Sequence, residues 1–235
     1  MYTDRAALYD AIYHWKDYAG EAAQVRALLH DAGLADGARL LEVACGTGAY
    51  LAPLSAWFDV AGCDLNEGML AVARAKLPTT ALWSVDMCEL VVPEPYDAVV
   101  CLFSSVGYLL DEARLRRACV AMAAAVRTGG TVIVEPWIPA EAYAVGRPSM
   151  QTYTSPDLHL ARACVAERRG DVAVMPMHWL VVPRDGPVER FVDVHELWFC
   201  PPETMRAALH DAGLDVTFNP SGLGNGRGLW VGRLR

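Results

Sequence analysis

Short apolar strands alternate with helices through the middle of this 235-residue chain, and the alternation limits the folds that it can adopt. Apolar runs typical of buried strands lie at 39–44, 60–64, 81–84, 96–102 and 131–135. Helical patterns separate them at 49–57, 67–76 and 113–126. Such an alternation indicates a parallel sheet covered by helices on both faces, and these sheets bind ligands at the carboxyl ends of their strands. The sequence therefore predicts an α/β fold with its site at that edge.

The pattern changes on either side of this region. Residues 1–35 have apolar side chains at helical spacing, which predicts an N-terminal helical cap. Turn residues separate three β-like stretches, which predict a three-stranded antiparallel insertion at 158–168, 172–183 and 188–200. The core pattern then resumes with a helix at 202–212 and strands at 214–218 and 229–234. We expect a single domain over 1–235, made of a cap, a cofactor-binding core, an insertion and a return to the core sheet, at 1–35, 36–136, 137–200 and 201–235.

The charge and the apolar pattern argue against several classes of protein. The formal net charge is −8, and no cluster of Lys and Arg is present to neutralise phosphates, which disfavours a nucleic acid substrate. No apolar run is long enough to span a membrane, and the residues from Met1 to Arg5 lack the pattern of a signal peptide. We therefore expect a cytoplasmic protein with neither nucleic acid nor membrane partners.

The seven cysteines form no Cys-x-x-Cys pair and mostly lie in apolar stretches, which predicts buried free thiols. Zinc would require paired Cys or His ligands at short spacing. The segment that begins at His195 approaches a zinc-protease motif, but Phe199 stands where the second histidine would be. We therefore expect no metal site. A lone histidine in a strand, such as His178 or His195, is more often structural, so neither is predicted to act as a base.

The turn after the first strand carries the sequence Gly46-Thr47-Gly48. Glycines at such a turn let the backbone approach a ligand closely. The dinucleotide fingerprint Gly-x-Gly-x-x-Gly needs a third glycine at position 51, where this chain has a leucine. That leucine disfavours a nicotinamide oxidoreductase. The acidic Glu42, which lies at the strand end before the turn, marks a different signature.

Two carboxylates follow the next two strands. Asp64 ends the second strand, where a carboxylate can accept two hydrogen bonds from the vicinal hydroxyls of a ribose. The alternative for Asp64 is a role as a helix N-cap. Asp86 follows the third strand, and its alternative is a plain surface carboxylate. Together with the glycine turn, the two positions predict a nucleoside-containing ligand.

These features resemble the motifs of the class I S-adenosylmethionine-dependent methyltransferases, whose first motif has the form Glu/Asp-x-x-x-Gly-x-Gly. In that family the amino acid tail of the cofactor lies beside the glycine turn, and an acidic residue at the position of Asp86 lies at the adenine amino group. The resemblance implies a Rossmann-like, seven-stranded, mostly parallel sheet, with S-adenosylmethionine as the cofactor and S-adenosylhomocysteine as the product. It assigns to the cofactor the residues Tyr18, Ala44, Gly46, Thr47, Gly48, Asp64, Leu65, Met69, Asp86, Met87 and Leu102.

Five further segments, at 8–10, 16–18, 103–109, 135–137 and 226–232, resemble the N,N-dimethyltransferases of nucleotide-linked (dTDP) amino sugars of the desosamine and mycaminose type. This resemblance implies direct in-line transfer of methyl groups to the amino group of a nucleotide-activated deoxy amino sugar, in natural product and antibiotic biosynthesis. One alternative is methylation at O, N or C of another small natural-product metabolite without a nucleotide carrier. Another is a protein that binds the cofactor without catalysis.

Tyr13 and Tyr108 are the predicted catalytic residues. The resemblance places Tyr13 in the N-terminal cap and Tyr108 on the loop after the fourth strand. Either phenol is suited to orient the sugar amine, because a neutral amine is already a good nucleophile and mainly needs positioning. The alternative for both is a packing role. A metal-dependent mechanism is not expected.

Four residues are predicted to bind the substrate. Arg227, in a loop of alternating glycines, is expected to pair with a diphosphate, with a surface arginine as the alternative. Trp137 is expected to stack on a base or to cap the core. Ser104 and Ser105 are assigned to the substrate or to the turn itself. The insertion sheet also offers a surface for a homodimer.

Overall fold

The computed structural model describes residues 6–235, and its strands form two sheets. In chain order the strands are β1 (Arg39–Val43), β2 (Asp59–Asp64), β3 (Ala81–Ser84), β4 (Tyr96–Cys101), β5 (Val126–Val134), β6 (Pro148–Thr154), β7 (Leu158–Val165), β8 (Glu167–Arg169), β9 (Val172–Pro183), β10 (Glu189–Trp198), β11 (Leu214–Asn219) and β12 (Leu229–Leu234). The α-helices are α1 (Ala6–Ile12), α2 (Tyr18–Asp31), α3 (Leu51–Leu54), α4 (Glu67–Lys76), α5 (Glu112–Ala124) and α6 (Pro202–Asp211).

The seven-stranded sheet has the order β11-β12-β5-β4-β1-β2-β3. The pairs among β1 to β5 are parallel, whereas β12 is antiparallel to both β5 and β11. Strand β1 pairs with β2 on one side and β4 on the other, so the strand order reverses beside β1. A crevice for a ligand opens at such a reversal. The predicted seven-stranded, mostly parallel sheet is confirmed.

Helices cover both faces of this sheet. Neighbouring residues of a strand point to opposite faces. Leu41 accordingly packs in a core cluster with Leu115 of α5 and Met205 of α6. Leu40 packs in a second cluster, with Val25 of α2 and Leu70 of α4. Because both faces of the sheet are covered by apolar contacts, polar ligands have access only at its edges and strand ends. None of the helices within 6–235 is long and apolar enough to cross a membrane.

The second sheet is antiparallel, with the order β10-β9-β7-β6, and β8 also pairs with β9. The described residues therefore give this sheet five strands, two more than the three predicted. Strand β6 was missed because it is a largely exposed edge strand without an apolar alternation. The predicted stretch 158–168 is divided at Ala166 into β7 and β8. The other two strands agree with the prediction to within two residues.

Several boundaries in the first half also differ from those predicted. The N-terminal helical region consists of two helices, α1 and α2, while residues 1–5 lie outside the described part. Helix α3 covers four residues rather than 49–57. Strand β5 starts at Val126 rather than at 131, because Val126 already pairs with Tyr96 of β4. The register with β4 then shifts before Thr131, and Gly129 in that interval adopts a φ of 75°. The glycines at 129 and 130 thus lie within a strand instead of ending a helix.

All seven cysteines are free thiols, five of them buried, which confirms the prediction for this residue type. Burial raises the pKa of the Cys101 thiol well above its ordinary value, and nearby Glu42 adds to the effect. These thiols therefore contribute to packing as small apolar side chains.

Candidate cofactor and substrate site

The glycine turn follows β1 at the point where the strand order reverses. Ala44, Gly46 and Gly48 all have positive φ angles, of 58°, 55° and 73°. A side chain at Gly46 would meet no heavy atom within 4 Å, whereas one at Gly48 would lie 3.1 Å from Leu77. Gly48 therefore lets helix α4 pack tightly against the turn, and Gly46 leaves the backbone open to a ligand.

Asp64 lies at the end of β2, directly beside this turn. One of its carboxylate oxygens accepts a hydrogen bond from the backbone N–H of Gly46 at 2.8 Å, and the other accepts one from Asn66 at 2.8 Å. Burial raises the pKa of Asp64, and these backbone hydrogen bonds offset part of that rise. The N-cap of α4 is Asn66, whose side chain accepts from Gly68 and Met69. The alternative role of Asp64 as the cap is therefore wrong.

Glu42, at the end of β1, is almost fully buried. Its Oε2 atom is a buried oxygen with no hydrogen-bond partner among the described residues. Burial raises the pKa of Glu42 well above its ordinary value, and the nearby charge of Asp64 acts in the same direction. A buried acceptor without a partner costs free energy. A ligand that carries an N–H group or a positive charge would relieve that cost.

Asp86 begins the short 3₁₀ turn Met87–Glu89 after β3. It accepts hydrogen bonds from the Cys88 backbone N–H at 2.9 Å and from Arg114 Nη2 at 2.7 Å. Partial burial acts to raise the pKa of Asp86, but these hydrogen bonds hold it below its ordinary value. Asp86 is thus an oriented carboxylate rather than a plain surface one. Its role at the adenine stays a prediction.

The N-terminal helices lie over the glycine turn. Thr47 donates a hydrogen bond from its hydroxyl to Asp10 of α1 at 2.6 Å, and Asp10 also pairs with Lys76 of α4 at 2.5 Å. Just beyond α1, the ring of Tyr13 packs edge-on against Phe103, with 5.3 Å between the ring centroids. Residues far apart in the sequence thereby enclose the turn.

A buried lysine, which the sequence-based assignment left out, lies among aromatic rings in this enclosure. The Lys16 ammonium is 4.7 Å from the ring centroid of Phe103 and 5.2 Å from that of Tyr18, and its side chain is 5% exposed. It forms an ion pair with Glu21, which also accepts a hydrogen bond from Tyr50. Burial, reinforced by nearby Tyr13, raises the pKa of Tyr18. The sequence offered one indication that Lys16 belongs to this site, because it lies two residues before Tyr18, which was assigned to the cofactor.

The two predicted serines follow β4. Ser104, which is fully buried and has a φ of 65°, donates from its hydroxyl to the Pro136 carbonyl at 2.7 Å. Ser105 donates to the Leu102 carbonyl at 3.0 Å. Both hydroxyls thus bond to backbone groups and shape the turn Ser105–Leu109. Contact of either serine with a substrate stays a prediction.

Glu135, at the end of β5, is completely buried and accepts several hydrogen bonds. The Phe103 backbone N–H donates to it at 2.6 Å, Asn225 Nδ2 at 2.5 Å, and Arg227 Nη1 pairs with it at 3.2 Å. The sequence placed Glu135 in a motif but did not indicate its partners. Arg227 is therefore not a surface arginine, since it neutralises a buried carboxylate.

The Arg227 guanidinium lies over two aromatic rings, 4.8 Å from the Phe103 centroid and 5.7 Å from that of Trp137. Two N–H donors of these side chains are buried and have no hydrogen-bond partner among the described residues, namely Arg227 Nε and Trp137 Nε1. Neighbouring donors of this kind are suited to bind an anionic acceptor.

Tyr108 contacts His195, a histidine that the sequence did not predict to act as a base. Its hydroxyl lies 2.6 Å from Nδ1 of His195 on β10, and Nε2 of His195 lies 3.2 Å from the carboxylate of Asp193. We call these residues the Tyr108–His195–Asp193 chain. Its members come from the turn after β4 and from the second sheet, so that no local motif in the sequence could reveal it.

The predicted residues thus form two neighbouring groups. The cofactor group lies mainly around the ends of β1 to β3 and consists of Tyr18, Ala44, Gly46, Thr47, Gly48, Asp64, Leu65, Met69, Asp86, Met87 and Leu102. The substrate group lies around the ends of β4 and β5 and in the loop before β12, and consists of Ser104, Ser105, Trp137 and Arg227. Phe103 lies between them, because its ring centroid is 6.5 Å from that of Tyr18 and 4.8 Å from the Arg227 guanidinium. Leu65 is 68% exposed, whereas Met69 and Leu102 are buried. In the residues from 6 onward, no cluster of three or more His, Cys, Asp or Glu side chains could hold a metal ion.

Comparisons with known proteins agree with this arrangement. Residues 40–130 match the methyltransferase domain family. The chain is 37% identical over 232 residues to dTDP-3-amino-3,4,6-trideoxy-alpha-D-glucopyranose N,N-dimethyltransferase of Streptomyces venezuelae, covering 97% of each chain. It superposes on the crystal structure of Streptomyces venezuelae DesVI with a TM-score of 0.91 and 36% identity, covering 98% of each chain. SAM-bound CalS10, an amino pentose methyltransferase from Micromonospora echinaspora, gives a TM-score of 0.86 at 34% identity, with 97% of each chain covered.

Proposed function

This chain belongs to the S-adenosylmethionine-dependent dTDP-amino sugar N,N-dimethyltransferases, and from that premise we propose that it methylates the amino group of a nucleotide-linked deoxy amino sugar. One observation carries the assignment to a nucleotide-linked substrate. Arg227 and Trp137 present two buried N–H donors without partners at the substrate end of the site. A substrate without a diphosphate would lack the anionic acceptor that these donors suit.

The residues of the cofactor group fit S-adenosylmethionine. Asp64 is oriented by Gly46 and keeps lone pairs for the ribose hydroxyls. The unpartnered Oε2 of Glu42 suits the ammonium of the cofactor's amino acid tail, and the buried ammonium of Lys16 suits its carboxylate. When bound, the cofactor supplies an activated methyl group on a sulfonium. In this proposal Tyr18 lines the same end of the site through its ring, beside Lys16.

The substrate group fits a diphosphate next to an amino sugar. Arg227 keeps donors that Glu135 does not use, since only Nη1 contacts that carboxylate and Nε has no partner. The half of the guanidinium that faces away from Glu135 would pair with the diphosphate, and Trp137 would donate to it or stack on the base. Tyr13 packs against Phe103, and this contact supports a role for its phenol in orienting the sugar amine.

Incubating the purified protein with S-adenosylmethionine and a dTDP-linked 3-amino or 4-amino sugar tests the function. We expect mono- and dimethylated products by mass spectrometry. The same amino sugar without its nucleotide is the control, and we expect little conversion of it. Equal conversion of both would favour the alternative, a methyltransferase of small metabolites without a carrier. Failure to methylate any such sugar, in protein that binds S-adenosylhomocysteine, would overturn the proposal.

We also propose that the chain forms a homodimer through the outer face of its second sheet. Met150, Ala163, His178 and Val192 lie in register across β6, β7, β9 and β10. Met150 is 70% exposed and Val192 is 52% exposed. Exposed apolar side chains that cluster on one sheet face mark a surface for association. A second copy of the same face would cover it with two-fold symmetry.

Val192→Glu is expected to convert the dimer to a monomer, because it would bury two symmetry-related carboxylates in an apolar contact. Light scattering after size-exclusion chromatography measures the mass. Val120→Glu is the matched control, since Val120 is 56% exposed on α5, away from the sheet. A monomeric wild type, or a dimer that persists in Val192→Glu, would contradict this interface.

We further propose a cytoplasmic location, which the seven free thiols support. Free thiols are typical of reducing compartments.

A further inference from the structure

The Tyr108–His195–Asp193 chain runs from the turn after β4 into the second sheet. The phenol of Tyr108 is 2.6 Å from the His195 ring, and the ring is 3.2 Å from Asp193. Tyr108 is 37% exposed, whereas the side chains of His195 and Asp193 are 6% and 11% exposed. The phenol is therefore the most accessible member of this chain of hydrogen bonds.

The turn that carries Tyr108 is held close to β10. A Cβ atom at Gly107 would lie 3.0 Å from Leu197 Cδ2, so the absence of a side chain there allows the close approach. The same turn follows Phe103, whose ring contacts Tyr13 and the Arg227 guanidinium. Tyr108 is thus anchored in the turn after β4, five residues beyond Phe103, which lies between the cofactor group and the substrate group.

We propose that Tyr108, backed by His195 and Asp193, accepts the proton that the sugar ammonium must lose before each methyl transfer. This inference rests on the proposed function. An amino sugar is largely protonated near neutral pH, and only the neutral amine has a lone pair for the methyl carbon. The first transfer yields a methylammonium, which must lose a proton before the second. Two methylations therefore need a repeated route for protons out of an enclosed site.

The proton transfer balances without any further reactant. The ammonium N–H bond breaks and its proton passes to the Tyr108 oxygen while the original phenolic proton passes to Nδ1 of His195. Tyr108 ends neutral, the amine becomes neutral and His195 becomes an imidazolium. Its Nε2–H then faces the carboxylate of Asp193, which stabilises the positive charge. The imidazolium returns its proton to water between turnovers.

Charges around the Tyr108–His195–Asp193 chain favour proton transfer towards His195. Burial acts to raise the pKa of Asp193, but the hydrogen bond from His195 holds it below its ordinary value, and Arg162 on β7, two strands away in the sheet, adds to the lowering. Asp193 therefore stays ionised at neutral pH and selects the His195 tautomer with its proton on Nε2. That tautomer leaves Nδ1 as the acceptor for Tyr108. Tyr108 is the catalytic residue in this scheme, and the other two are positioning residues.

The dependence of kcat/KM on pH tests the proposal. We expect Tyr108→Phe to lower kcat/KM about 100-fold at pH 7, a typical size for the loss of a general base. The deficit should shrink steadily as the pH rises through the pKa of the substrate amine, since the amine is then already neutral. His195→Gln and Asp193→Asn should show the same pH dependence with smaller deficits. Monomethylated sugar should accumulate in all three variants.

Matched controls separate this role from a structural one. Tyr153→Phe removes a phenol from β6, and His159→Gln removes an exposed imidazole from β7, and both should keep the wild-type pH profile. Calorimetry with S-adenosylhomocysteine should give wild-type affinity for every variant. A Tyr108→Phe deficit that is equal at all pH values, or that is absent, would overturn the inference. A wild type that methylates no dTDP-amino sugar would instead overturn the proposed function.

Discussion

Arg227→Ala is expected to lower the free energy of unfolding by about 3–5 kcal/mol, because it leaves the buried carboxylate of Glu135 without its counter-ion. Glu135 is fully buried, and the side chain of Arg227 is only 16% exposed, so water cannot replace the lost pair. For a chain of this size we expect the melting temperature to fall by about 10 °C. Chemical denaturation, with the wild type measured in parallel, gives the free energy.

The double variant Glu135→Gln with Arg227→Ala tests whether the unpaired charge of Glu135 causes the loss of stability. The neutral amide keeps an acceptor for the Phe103 N–H and removes the unpaired charge, so we expect it to recover much of the lost stability. A single Arg227→Ala variant as stable as the wild type would show that the pair is not structural.

Because Arg227→Ala is expected to destabilise the fold, the binding of a diphosphate by Arg227 is better tested with a substitution that keeps the positive charge. Arg227→Lys keeps a positive charge beside Glu135 and loses the planar fork that binds two oxygens at once. In this variant the KM for the dTDP-amino sugar is expected to rise about tenfold, which corresponds to one lost charged hydrogen bond. An unchanged KM would place the diphosphate elsewhere.

Asp64→Asn is expected to raise the Kd for S-adenosylhomocysteine about 100-fold. Two hydrogen bonds from ribose hydroxyls to a carboxylate are together worth about 3 kcal/mol, and an amide retains only one acceptor oxygen. That oxygen must also serve the backbone N–H of Gly46 or Asn66. Isothermal titration calorimetry measures the loss directly and does not depend on finding the acceptor substrate.

Asp59→Asn provides the control for this experiment. Asp59 lies at the opposite end of the same strand and is exposed, so its replacement should leave the Kd unchanged. A comparable loss in both variants would point to general destabilisation of β2. Wild-type affinity in Asp64→Asn would place the ribose away from this carboxylate.

The sheet and the cofactor group could be predicted because their signals are local. Each strand of the parallel sheet is a short apolar run between helices, and Glu42, the glycine turn, Asp64 and Asp86 directly end or follow such runs. The edge strand β6 could not be predicted, because it faces water and carries no apolar alternation. Strand β5 was placed late, because its glycines resemble a helix stop.

The sequence by itself determined the fold class, the family and the position of the cofactor group, since the residue types and their spacing along single strand–turn–helix units carry that information. Only the tertiary structure decided which distant side chains meet. Arg227 pairs with a glutamate 92 residues away, and Tyr108 meets a histidine 87 residues away. Such pairs form because the buried charge or polar group needs a partner, and the partner depends on how the second sheet and the last loop pack on the core.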